Sequence, residues 1–123
     1  VGLLMGLIDN GITKSRAAAS DARADLAEVN SRLVLAEAWQ GVTGTCDAGA
    51  RSLASSRVAR RSAIAPIVEV ITTQSEALHT RAVANVDELR LRRQTAQGRL
   101  TVAEKSGAAM TRLAEETDKL IGD

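Results

Sequence analysis

The sequence predicts an all-α protein, either a long antiparallel helical hairpin or an elongated small helical bundle with coiled-coil-like seams. Three observations carry this expectation. Two long stretches repeat apolar residues at steps of three and four, the spacing that lines one face of a helix. The only aromatic residue is Trp39, with no Phe and no Tyr, so a core must be built from Leu, Ile, Val and Ala. Such side chains bury little area each, which points to a partner or an oligomer as readily as to an extended hairpin of modest stability.

The first repeat is Ile8, Ile12, Ser15, Ala19, Ala22, Leu26, Val29, Leu33 and Ala36. It predicts a helix over about 12–40, with Asp9-Asn10-Gly11 or Thr13 capping its start. Gly41, Val42, Thr43, Gly44 and Thr45 are poor helix formers in a row, so a turn is expected over 41–47. Asp47 is placed to cap the next helix, 48–65. That segment is rich in Ala, Ser and Arg, and its bulky apolar residues are Leu53, Val58 and Ile64. Pro66 lacks an N–H, so it either starts a new helix at its first position or kinks a continuous one, and a kink or short break is the expectation.

A second repeat follows in Val68, Ile71, Ser75, Leu78 and Ala82, then, across a stutter, in Val86, Leu89, Ala96, Leu100, Ala103, Met110, Leu113 and Leu120. It predicts one long helix or two over 67–121, with Gly98 and Gly107 as points of weakness. A single helical domain, 1–123, is the expectation from length. The residues expected to form helix-packing interfaces are Leu26, Val29, Leu33, Val68, Ile71, Leu78, Val86 and Leu89.

A net charge of +1 provides no global field to recruit nucleic acid or an acidic membrane. The one local basic run is Arg51, Arg57, Arg60 and Arg61, with no acid among them. It could meet an anionic partner such as phosphates. The absence of stacking aromatics argues against a nucleic-acid module, and favours arginines that face water or the acids Asp21, Asp25 and Glu28. Val1 to Ile8 is far too short for a membrane span of about 20 residues, so no transmembrane segment is expected. It also lacks the basic start and small-residue cleavage pattern of a signal peptide. At the myristoylation-like Met5-Gly6, Asn10 stands where Ser or Thr is required.

The chemical inventory is nearly empty: one His, one Cys and no Tyr. No convergent acid, base and nucleophile set is discernible, so no enzyme, cofactor or metal is expected. His79 has no second ligand at metal spacing and reads as a solvated helix histidine. Cys46 cannot form an internal disulfide and reads as a small residue near a turn. Gly41-Val42-Thr43-Gly44 lacks the Lys-Ser/Thr ending of a phosphate loop.

Trp39-Gln40-Gly41 forms a W-x-G, placed by this reading at a helix-to-helix turn about 40 residues into the chain. In this it resembles the WXG family of small helical hairpins exported by type VII secretion without a cleaved signal peptide. The likeness covers roughly Ile12 to Leu89. It implies that Trp39 packs in the hairpin notch, that Gly41 permits the turn, and that the hairpin pairs with a related one. The family's export signal, a Tyr followed four residues later by an acid, has no counterpart in a chain without Tyr. Without the family, Trp39 is the bulky end of a helix seam.

The functional expectation is a non-enzymatic interaction or structural protein that pairs with a helical partner or with itself. It would be either a WXG-like secreted hairpin or a component of a phage or other large particle, and otherwise cytoplasmic. The alternative is a nucleic-acid or regulatory binding module using Arg51 to Arg61.

Overall fold

A computed structural model describes residues 2–61 and 63–122. The architecture is all-α. Helix α1 spans Gly2–Ala54, a single 3₁₀ turn occupies Val58–Arg60, and helix α2 spans Ala65–Gly122. Among the described residues there is no strand. The chain divides into two compact units. One joins the segment up to Val29 with the segment from Arg92, and the other is Asn30–Leu91.

Several expected boundaries are corrected. Helix α1 begins at Gly2 rather than near residue 12, and it continues through 41–47, where a turn was expected. Three local features let it continue. The Thr43 hydroxyl donates to the Gln40 carbonyl, and the Thr45 hydroxyl to the Gly41 carbonyl, both at 3.0 Å, so these side chains are satisfied within the helix. The spacing of buried positions runs on without interruption through Gln40, Thr43, Asp47 and Ala50. Gly44 sits against α2, where a Cβ would come within 3.2 Å of His79 Cε1, so its missing side chain is used for packing. Asp47 is therefore a mid-helix residue and not a cap.

The described residues 55–61 and 63–64 make the turn, where Ser55 and Ser56 fold their hydroxyls onto the carbonyls of Arg51 and Leu53 at 3.0 and 2.6 Å. The same two carbonyls accept the backbone N–H groups of Ser55 and Ser56 at 3.0 Å, so each serine closes the end of α1 through both its main chain and its hydroxyl. The segment expected as helix 48–65 is thus the end of α1 plus the turn. Pro66 stands in the first turn of α2, where a missing N–H costs nothing, and no helix kinks around it. Gly98 and Gly107 both lie within an unbroken α2.

In the first unit, α1 buries Ile8, Ser15, Ala19, Ala22 and Val29, and α2 buries Ala96, Ala103 and Thr117. Small residues bring the backbones close. A Cβ on Gly107 would lie 3.5 Å from Ser15 Cβ, and one on Gly11 3.2 Å from Met110 Sδ. Arg99 meets Asp25 at 2.7 Å and Arg23 meets Glu104 at 3.4 Å. All four side chains are about half exposed, so these pairs contribute at most about 1 kcal/mol each and chiefly report the register.

In the second unit the two helices run antiparallel across the turn, and their apolar core is Leu33, Ala36, Val86 and Leu89. Val86 is fully buried. Arg90 reaches Glu37 at 3.4 Å beside this core.

One consequence is directly measurable. Gly41 lies in α1 with nothing within 4 Å of an added Cβ. Gly41→Ala is therefore expected to raise stability by about 1 kcal/mol, read as an increase in Tm by circular dichroism. A glycine needed by a turn would respond in the opposite direction.

Candidate interaction face

Within Asn30–Leu91, the positions that face across the helix pair are Leu33, Ala36, Gln40, Thr43, Asp47 and Ala50 on α1. On α2 they are Val68, Thr72, Ser75, His79, Ala82, Val86 and Leu89. Both rows keep alternating steps of three and four, and no stutter separates Ala82 from Val86. Ile71 and Leu78, expected in the packing seam, are 42% and 47% exposed. Their neighbours Thr72 and His79 take the seam positions instead. The other expected interface residues, Val29, Leu33, Val68, Val86 and Leu89, are buried, and Leu26 is half-buried. In the first unit Leu113 and Leu120 are exposed, while Ala114 is half-buried and Thr117 buried.

The seam of the second unit changes character towards the turn. Leu33, Ala36, Val86 and Leu89 give way to hydroxyl, imidazole and carboxylate groups. His79, expected to be solvated, is half-buried, with Nδ1 3.1 Å from Thr43 Oγ1. Thr43 Oγ1 also lies 3.0 Å from the Gln40 carbonyl, so the hydroxyl can donate there while accepting from His79, or donate to His79 Nδ1, according to the imidazole tautomer. Asp47, one step further towards the turn, is buried. Its Oδ2 meets Arg51 at 3.2 Å, and its Oδ1 has no hydrogen-bond partner.

The apolar residues displaced from this seam collect on one side. Leu35, Trp39, Val42 and Leu53 each immediately precede a seam position of α1 or share that phase, and Ile67, Ile71 and Leu78 do so on α2. In an antiparallel pair of right-handed helices, residues preceding seam positions on both helices point to the same side of the pair. The Arg90–Glu37 contact confirms the geometry for the opposite side, since each of its residues follows a seam position. Of the ten exposed large hydrophobics described in this unit, these seven share one face. Cys46 and Gly49 continue the α1 row as small residues, and Cys46 is a free, exposed thiol.

Trp39 is 51% exposed and Gly41 is exposed. Both lie inside α1, so neither a hairpin notch nor a turn surrounds the Trp39-Gln40-Gly41 run. Gln40, between them, is the residue that faces α2. Of the expected anionic-partner patch, Arg51 is paired with Asp47 at the end of α1, whereas Arg57, Arg60 and Arg61 are exposed in the turn. Asp25, one acid expected to face them, pairs with Arg99. Among the described residues no group of His, Cys, Asp and Glu is placed to hold a metal ion, and no helix is long and apolar enough to cross a membrane.

Comparison with protein-family models, curated proteins and solved structures finds no match to this chain.

Proposed function

We propose that this chain is a non-enzymatic interaction protein that binds another helical surface through the apolar face of its Asn30–Leu91 unit. The observation that carries the reading is the inversion within that unit: polar side chains fill the seam near the turn, while Leu35, Trp39, Val42, Ile67, Ile71 and Leu78 stand in solvent on one side. Contiguous exposed apolar surface is costly to keep unless a partner covers it.

The test is affinity capture from the native host with the wild-type chain and with Leu35→Glu/Ile67→Glu. The wild type is expected to retain a helical protein, or untagged copies of itself, that the double variant loses. Equal recovery by both would refute the face. The identity of what is recovered separates two finer forms of the proposal. A second small hairpin with type VII export components favours a WXG-like secreted protein; virion or large-particle components favour a structural part.

A second reading rests on the turn, where Arg57, Arg60 and Arg61 stand exposed within five residues. Such a cluster could hold phosphates of a nucleic acid. Arg57→Glu/Arg60→Glu should then abolish a strongly salt-dependent binding to DNA or RNA. Salt-independent binding, or full affinity in the variant, would sink it.

A further inference from the structure

Resting on the interaction reading, we infer that the occupant of the apolar face is a second copy of this chain, docked by a two-fold axis parallel to the helices of the Asn30–Leu91 unit, so that α1 of each copy lies over α2 of the other. Three observations lead there.

The first is area. Using the exposed fractions of the seven side chains and whole-residue areas of about 150–250 Å², the face presents on the order of 650 Å² of apolar surface. That approaches the roughly 800 Å² per partner of a standard stable interface, and it exceeds what single scattered side chains leave on a monomer.

The second is self-complementarity, level by level. The Thr43–His79 contact sets the register, in which Val42 and Leu78 lie within about 3 Å of a common level along the helices, as do Gly49 and Ile71, Leu53 and Ile67, and Trp39 and Arg81. Under this two-fold axis these pairs are brought together between the two copies, and Leu35 comes beside the other copy's Asn85. Gly49, with nothing within 4 Å of an added Cβ, becomes a notch for the partner's Ile71. The Trp39 ring meets the partner's Arg81, an exposed guanidinium suited to an aromatic face. Leu53 and Val42 meet apolar residues. No level of this part of the face opposes like charges, and a net charge of +1 per chain adds little repulsion.

The third is need. Near the turn the unit's own seam holds Thr43, Asp47, Thr72, Ser75 and His79, so most of the apolar surface there is buried only if the outer face is covered. Two hairpins stacked this way make a four-helix arrangement whose centre is this face.

Sedimentation of the full chain from about 1 to about 100 µM tests the inference, with two probes inside the face. Trp39 is the only tryptophan and Cys46 the only cysteine. The expected result is a two-chain mass, with a blue shift of Trp39 emission and slower maleimide labelling of Cys46 over the same concentration range. Leu35→Glu/Ile67→Glu, at positions exposed in the single hairpin, should keep its helical circular dichroism and weaken self-association by about 100-fold or more. Gly49→Gln fills the notch with a better helix former, so it should stabilise the single chain while weakening the pair. Overturning results are a one-chain mass for the wild type throughout the range, or variants that pair as well as the wild type. If the wild type stays single but captures a different helical protein through Leu35 and Ile67, self-pairing falls while the interaction reading stands. If neither mass nor capture depends on these residues, both fall.

Discussion

Val86→Asp is expected to abolish the cooperative folding of the Asn30–Leu91 unit, whereas Leu78→Asp, eight residues earlier in the same helix, is expected to leave it intact. Val86 is fully buried in the apolar cluster with Leu33, Ala36 and Leu89. An ionised group forced into that site without a partner costs about 3–5 kcal/mol. A domain with so small an apolar core has little more than that in total. Leu78 is 47% exposed on the outer face, where an aspartate meets water. Thermal melts followed by circular dichroism should show a lost or strongly depressed transition for Val86→Asp and a near-native one for Leu78→Asp. The reverse ranking would put Leu78 in the seam and refute the register described above. The same pair separates folding from association, since Leu78→Asp should impair docking on the apolar face while keeping the hairpin.

How far the seams were legible follows from these residues. The α1 row from Ile8 to Ala36 could be read because each seam position there is apolar or small, and hydrophobic periodicity is what a sequence exposes. The reading failed where that signal reverses. Near the turn the outward positions Leu35, Trp39, Ile71 and Leu78 are the hydrophobic ones, and the inward positions are Gln40, Thr43, Thr72 and His79. Following apolar residues there selects Ile71 and Leu78 and then needs a stutter before Val86; following strict heptad spacing back from Val86 reaches His79, Ser75 and Thr72 with none. The turn was misplaced for a related reason. Gly41, Thr43, Gly44 and Thr45 are poor helix formers taken singly, but Gly44 gives room to the His79 ring, whose Cε1 a Cβ would approach to 3.2 Å, and the two threonines bond to carbonyls of their own helix. The true turn carries no glycine. It is made by serine hydroxyls that close the end of α1 and by a single 3₁₀ turn. That chemistry resembles the surrounding Ala/Ser/Arg sequence too closely to stand out.

Asp47→Leu is the second change with a large expected effect, and its sign is opposite: it should stabilise the chain, by about 2 kcal/mol. Asp47 is a buried seam residue whose Oδ1 has no hydrogen-bond partner. Its one ion pair is to Arg51, whose side chain is 66% exposed and loses little when released to solvent. Desolvating a carboxylate for a single pair of this kind is commonly worse than burying an apolar side chain of similar length. The residue level with Asp47 across the seam is Ser75, a small side chain. The check is a denaturant or thermal unfolding series on wild type, Asp47→Asn and Asp47→Leu. The asparagine, which removes the charge but keeps a polar group in the seam, should fall between the other two. Because Asp47 faces inward, Asp47→Leu should leave the exposure of Trp39 and Cys46 in the single chain unchanged, so any change in self-association would have to come through the stability of the hairpin. A destabilised leucine variant would mean that the carboxylate has a stabilising role beyond the Arg51 pair. A stabilised one would show that this part of the seam sacrifices stability, and that a polar interior with an apolar exterior is a property of the unit that its packing alone does not require.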